Sequence, residues 1–108
     1  MDKSGVTLER LRTFARVAER GSFSAVAKEL DTGQSTISRH VRELEEALGV
    51  RLFSRTTRRI SLTDEGQHFY DNTVQALQIV DQACAEIAAI KGATTGTVRV
   101  SGFSMGYT

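Results

Sequence analysis

Residues 34–66 read QSTISRHVRELEEALGVRLFSRTTRRISLTDEG, and the order of elements in this stretch decides the fold. Ile37, Val41, Leu44 and Leu48 recur at steps of four, three and four, the period of a helix buried along one stripe. Gly49 stops that helix. Val50, Leu52 and Ile60, Leu62 then alternate as two brief strands around Ser54–Arg59. Thr63 is suited to cap a further helix, with Asp64 and Glu65 at the positive end of its dipole. A helix with a hydroxyl-rich leading end, followed by an arginine-rich hairpin, is the order of a winged helix-turn-helix. Such a helix can enter the major groove of duplex DNA while the hairpin reaches an adjacent groove.

Working outward toward the N-terminus, Thr7 can cap a first helix, with Leu8, Leu11, Ala15 and Ala18 as its apolar face and Gly21 as its end. Ser22 can cap a second helix carrying Phe23, Val26, Ala27 and Leu30, and Asp31, Thr32 and Gly33 make a tight turn. Toward the C-terminus, no breaker interrupts a helix from Asp64 to about Lys91. Its 28 or so residues would span roughly 42 Å. Gly92–Gly96 reads as a hinge and Thr97–Ser101 as a new strand. One strand cannot form a domain, so the chain is expected to break off inside a second domain, as an N-terminal fragment. A frayed natural tail is the plainer alternative. The expected class is mainly α: three helices plus a two-stranded wing in residues 1–62, a long linker and dimerisation helix in 63–91, and a hinge with the start of a truncated domain in 92–108.

Composition excludes several classes. With 40% hydrophobic and 25% charged residues in 108, the chain has the make-up of one globular domain rather than a disordered segment. No run approaches the roughly 18 apolar residues of a membrane span. MDKSGVTLER lacks the apolar stretch of an export signal, and a single cysteine, Cys84, fits the reducing cytoplasm. Residues 1–62 hold 12 Lys/Arg against 8 Asp/Glu, a net +4, and residues 63–108 hold 2 against 5, a net −3. That asymmetry suits a phosphate-facing head. His40, His68 and Cys84 are the only residues of obvious catalytic or metal type. His68 and Cys84 lie sixteen apart on one helix, about 24 Å along its axis, too far to share a metal or a proton. No cofactor, metal or enzymatic activity is expected.

The chemistry then follows residue by residue. The first turn of a recognition helix faces base edges. Here it offers Gln34, Ser35 and Thr36, then Ser38 and Arg39. Gln suits adenine, Arg suits guanine, and Ser or Thr can serve either. The plainer readings are helix capping for Gln34, Ser35 and Thr36, and a solvated charge for Arg39. Ser22 and Ser24 can clamp a phosphate or simply cap. Arg42 can reach a phosphate or pair with Glu45 or Glu46 on its own helix. The wing offers Arg55, Thr57, Arg58 and Arg59, with no acidic residue between positions 47 and 63. One of these arginines can enter a narrow minor groove while the others hold phosphates. Arg55 can instead bond backbone near the helices.

The long helix is apolar on more than one side. Tyr70, Val74, Leu77, Val80, Cys84 and Ile87 exceed what one small domain can cover. A second copy packed antiparallel in a homodimer is the simplest partner, and two heads would read a partly palindromic operator. Cover by the absent second domain is the alternative. A winged helix that binds protein is another, against which the arginines argue.

Taken together, residues 8–66 resemble the N-terminal domain of LysR-type transcriptional regulators. The similar pieces are Leu11–Phe14, Gly21–Ser24, Ala25–Ala27 with Leu30, Ser38-Arg39, Leu44-Glu45, Leu48-Gly49, Leu52-Phe53, Arg55, Arg58 and Leu62–Gly66. Each is weak alone; their order across nearly sixty residues is specific. The long helix resembles the family's linker helix, and Gly96–Val100 the start of its effector-binding domain. The chain departs from the family pattern at Gly33-Gln34-Ser35, where many members carry Ser-Gln-Pro. Proline would pre-set that turn. The resemblance implies transcriptional regulation by binding double-stranded DNA as a dimer, with Arg58 as the wing arginine that enters the minor groove. It further implies assembly to a tetramer in a full-length protein, contact with RNA polymerase, and a small effector bound by the absent C-terminal domain.

Overall fold

The computed structural model describes residues 5–55 and 60–93. The expected strand at 97–101, the start of a second domain and the wing residues Thr57, Arg58 and Arg59 lie outside the described residues. The elements run α1 (Leu8–Arg20), α2 (Phe23–Glu29), α3 (Gln34–Leu48), β1 (Phe53–Arg55), β2 (Ile60–Leu62) and α4 (Asp64–Ala93). This is the mainly helical winged architecture expected.

Local chemistry explains where the helices begin and end. Thr7 accepts the Arg10 N–H to start α1, and Gly21, at φ 68°, ends it. Ser22 accepts the Ala25 N–H at 3.1 Å to start α2. Gly49, at φ 74°, ends α3 with its N–H donated to the Glu45 carbonyl. Thr63 accepts the Gly66 N–H at 2.9 Å to start α4 and donates to the Arg51 carbonyl at 2.6 Å.

The chain falls into two compact units, Met1–Gln75 and Ala76–Thr108, with the boundary inside α4. The core of the first unit is Phe14, Val17, Val26, Ala27, Ile37, Val41, Leu44, Leu52 and Phe53. Phe14 is its hub: its ring centroid is 5.4 Å from those of Phe53 and Phe69 and 6.3 Å from Tyr70. Such tilted pairs add stability beyond the area they bury. The buried face of α1 is Thr13, Phe14, Ala15 and Val17. It is rotated from the expected Leu8, Leu11, Ala15, Ala18 face, because the aromatic cluster draws in Phe14. Leu8 is 44% exposed, and Leu11 and Ala18 pack at the margin of the core.

The first strand also corrects the sequence expectation. Ladder pairing starts at Phe53 rather than at Val50, in antiparallel register Phe53↔Leu62, Ser54↔Ser61 and Arg55↔Ile60. Leu52 is fully buried, yet its backbone is bonded elsewhere: its N–H donates to Glu45 Oε2 and its carbonyl accepts the Thr63 N–H at 3.0 Å. At the C-terminal side, α4 continues through Gly92 and Ala93, so only residues beyond Ala93 remain for the expected hinge.

In the second unit, the residues of α4 from 81 to 92 are exposed. Ile79, Ile87 and Ile90 are 67%, 64% and 60% exposed, and Cys84 is a free, exposed thiol. No helix among the described residues is long and apolar enough to cross a membrane.

Candidate nucleic-acid interface

Helix α3 has two faces. Ile37, Val41 and Leu44 enter the core. Gln34, Ser35 and Arg39 are exposed, and Thr36 and Ser38 half-buried. The N-cap is Gly33, with no side-chain cap hydrogen bond. That corrects the capping alternative for Gln34, Ser35 and Thr36. Among the described residues, none of the side chains of Gln34, Ser35, Thr36, Ser38, Arg39 and Arg42 makes a hydrogen bond or ion pair. Arg42 is therefore not paired with Glu45 or Glu46. The face is a row of uncommitted donors and acceptors on a rigid helix.

His40 sits on the packing side, 9% exposed, with Nδ1 3.2 Å from Thr13 Oγ1. The Thr13 hydroxyl donates to the Glu9 carbonyl at 3.0 Å, so the imidazole Nδ1 is the donor of the pair. This bond ties α3 to α1. A second tie is Arg10, which donates to Glu43 Oε1 at 2.7 Å and to the Gly5 carbonyl at 3.0 Å.

Ser22 both caps α2 and lies 3.1 Å from the Ser24 hydroxyl. The Ser22 hydroxyl is thus already engaged, and any phosphate contact would share it. α2 is held to α1 by Glu29, which receives Arg16 Nε at 2.7 Å and Arg20 Nε at 2.9 Å. Hydrogen bonding from Arg16 lowers the Glu29 carboxyl pKa against the opposing effect of desolvation, with a further contribution from Arg20.

The wing brings a residue that sequence reasoning missed. Glu45 is buried, and its Oε2 accepts the N–H groups of Leu52 and Phe53 at 2.8 and 3.3 Å. Arg51 Nε lies 3.8 Å from the same oxygen, and an Arg55 terminal nitrogen 3.9 Å from Oε1. The hairpin offers the wing arginines no local acid, as the sequence showed, and the partner of Arg55 comes instead from α3 across the fold. Arg55 also lies over the Phe23 ring, 5.0 Å from its centroid. It does not bond backbone among the described residues.

Two of the expected dimerisation residues are used within the chain. Tyr70 packs against the core, and its hydroxyl donates to Glu19 Oε2 at 3.1 Å. Burial, reinforced by Glu19, raises its hydroxyl pKa. Leu77 is 9% exposed. Leu77 leaves a partner little surface, while Tyr70 is half-buried. Val74 and Val80 are half-buried, and Cys84 and Ile87 exposed. No group of three or more His, Cys, Asp or Glu among the described residues could hold a metal.

A model described as a bacterial regulatory helix-turn-helix protein of the lysR family matches residues 8–67. The chain belongs to the LysR family. It is 42% identical over 92 residues to the HTH-type transcriptional regulator CrgA of Neisseria meningitidis serogroup C, covering 85% of this chain and 31% of that protein. To the HTH-type transcriptional regulator DmlR of Escherichia coli K12 it is 38% identical over 100 residues, 92% of this chain and 33% of that one. It thus spans about a third of the length of these LysR relatives. Among solved structures, the BenM DNA-binding domain in complex with catB site 1 DNA superposes with a TM-score of 0.77 at 35% identity. That match covers 82% of this chain and 96% of the other. CbnR, a LysR family transcriptional regulator, matches with a TM-score of 0.72 at 33% identity, over 78% of this chain and 29% of that one.

Proposed function

We propose that this chain is the DNA-reading part of a bacterial transcriptional regulator and binds a partly palindromic site in duplex DNA as a two-fold dimer. The observation that carries the reading is the outer face of α3, where Gln34, Ser35, Thr36, Ser38 and Arg39 are held on a helix whose other face is core, with every side-chain donor unspent. Gln34 and Arg39 have the geometry for bidentate base contacts. Arg42, and Ser22 with Ser24, take phosphates. Arg58 in the wing reads a narrow minor groove, with Thr57 and Arg59 on the flanking backbone. The solved DNA complexes of LysR relatives support this reading.

The two copies pair through α4, where Val74, Val80, Cys84 and Ile87 are joined by Ile79 and Ile90. A domain beyond the described residues carries the effector response and contact with RNA polymerase, and the protein works in the bacterial cytoplasm. The test is selection of bound oligonucleotides from a random duplex pool at near-physiological salt. An inverted repeat is expected; a pool that stays unenriched would remove the reading.

A further inference from the structure

Arg10, Arg16 and Arg20 spend their N–H groups on carboxylates through direct hydrogen bonds at 2.7–2.9 Å. Arg55 does not. Its distance of 3.9 Å to Glu45 Oε1 is an ion pair but too long for a hydrogen bond. Its guanidinium is faced by the Phe23 ring at 5.0 Å, which attracts the cation without consuming a donor. Among the described residues, no side-chain N–H of Arg55 is hydrogen-bonded. Its side chain is 36% exposed. The group is located from two sides while its donors are left for an outside acceptor.

Glu45 is built to do this. Its Oε2 is tied by the Leu52 and Phe53 N–H groups, which fixes the carboxylate against the turn from α3 into β1. Oε1 is left as the charge facing Arg55. The carboxylate is on the reading helix, the arginine ends the first wing strand, and the ring opens α2. One charge therefore couples all three parts of the motif.

We propose that Glu45 is a positioning residue for DNA binding: with Phe23 it holds Arg55 so that its free N–H groups meet one backbone phosphate at the base of the wing. The inference rests on the DNA-binding reading above. A phosphate oxygen presents the geometry a guanidinium fork matches, and such a contact fixes register rather than reading sequence.

The sign of one substitution separates this from simple electrostatics. Glu45→Gln keeps an oxygen for the Leu52 and Phe53 N–H groups and removes a negative charge near the DNA. Bulk charge alone predicts tighter binding; loss of Arg55 positioning predicts weaker binding. The experiment titrates the 108-residue chain onto a fluorescein-labelled, mixed-sequence duplex of about 30 base pairs across a salt series, with Tm recorded for each variant. Arg55→Ala is expected to lower the salt slope by about one and weaken binding several-fold on every sequence. Glu45→Gln is expected to weaken binding about three- to tenfold with the same reduced slope, and to add nothing in an Arg55→Ala background. Phe23→Leu, which keeps apolar bulk but loses the ring face, moves binding in the same direction and stands in if Glu45→Gln does not fold. Equal or tighter binding by Glu45→Gln overturns the proposal, as does an equal loss without Arg55, or, where Glu45→Gln does not fold, an unchanged Phe23→Leu. If the parent chain does not bind the duplex at all, the DNA-binding reading itself falls.

Discussion

Gly66 lies in the first turn of α4, where a Cβ would come within 2.0 Å of the Leu52 carbonyl oxygen and 2.9 Å of its carbon. Alanine ordinarily strengthens a helix relative to glycine. Here the sign reverses: Gly66→Ala is expected to destabilise the first unit by about 1–3 kcal/mol, because backbone rather than a flexible side chain must yield. Chemical denaturation reads this directly. Phe14→Ala acts through volume instead. Its ring meets three others, so removing it is expected to cost about 3–5 kcal/mol, a large part of the total stability of a small domain. The caps were the legible residues: Thr7, Gly21, Ser22, Gly49 and Thr63 mark helix ends by short-range chemistry that a sequence carries openly. Glu45, His40 and Tyr70 were not legible. A glutamate, a histidine or a tyrosine on an amphipathic helix reads as surface until the tertiary partner is known, and those partners (Leu52 and Phe53 N–H, Thr13, and Glu19) are 7 to 51 positions away in the chain.

Among elements, the α1–α2 pair carries a cluster of opposite charges at its outer edge. Glu29 receives Arg16 and Arg20, and its carboxyl is held below the ordinary range. A group with a depressed folded pKa contributes stability present above its unfolded pKa and lost as pH falls through its folded one. The stability gap between the parent and Glu29→Gln should therefore be widest near neutral pH and shrink on acidification, as followed by urea midpoints across a pH series. The effect is small because the group is solvent-accessible. The wing gives a second element-level prediction. Arg58→Ala should weaken binding to sites with narrow A/T flanks more than to G/C-flanked ones, in gel shifts run side by side. Here periodicity located the helices and β2 but shifted β1. Alternation cannot reveal that Leu52 is buried with its N–H taken by Glu45, which delays the ladder to Phe53.

At the level of the whole molecule, the proposed dimer would tie assembly to recognition through α4. The exposed Ile79, Ile87 and Ile90 make a surface that a monomer leaves in water. Sedimentation should find a dimer at micromolar concentration. Ile87→Glu should shift it to monomer while leaving the thermal transition of the first unit in place, since Ile87 lies outside that unit. The glycine that precedes α3 carries a last consequence. With Gly33 as cap and no proline in the sequence, no side chain pins the leading amides of the reading helix. The Thr36 N–H already reaches the Gly33 carbonyl at 3.1 Å, so the amides left over are those of Gln34 and Ser35, whose protons should trade with deuterium quickly in the free chain and slowly once duplex is bound.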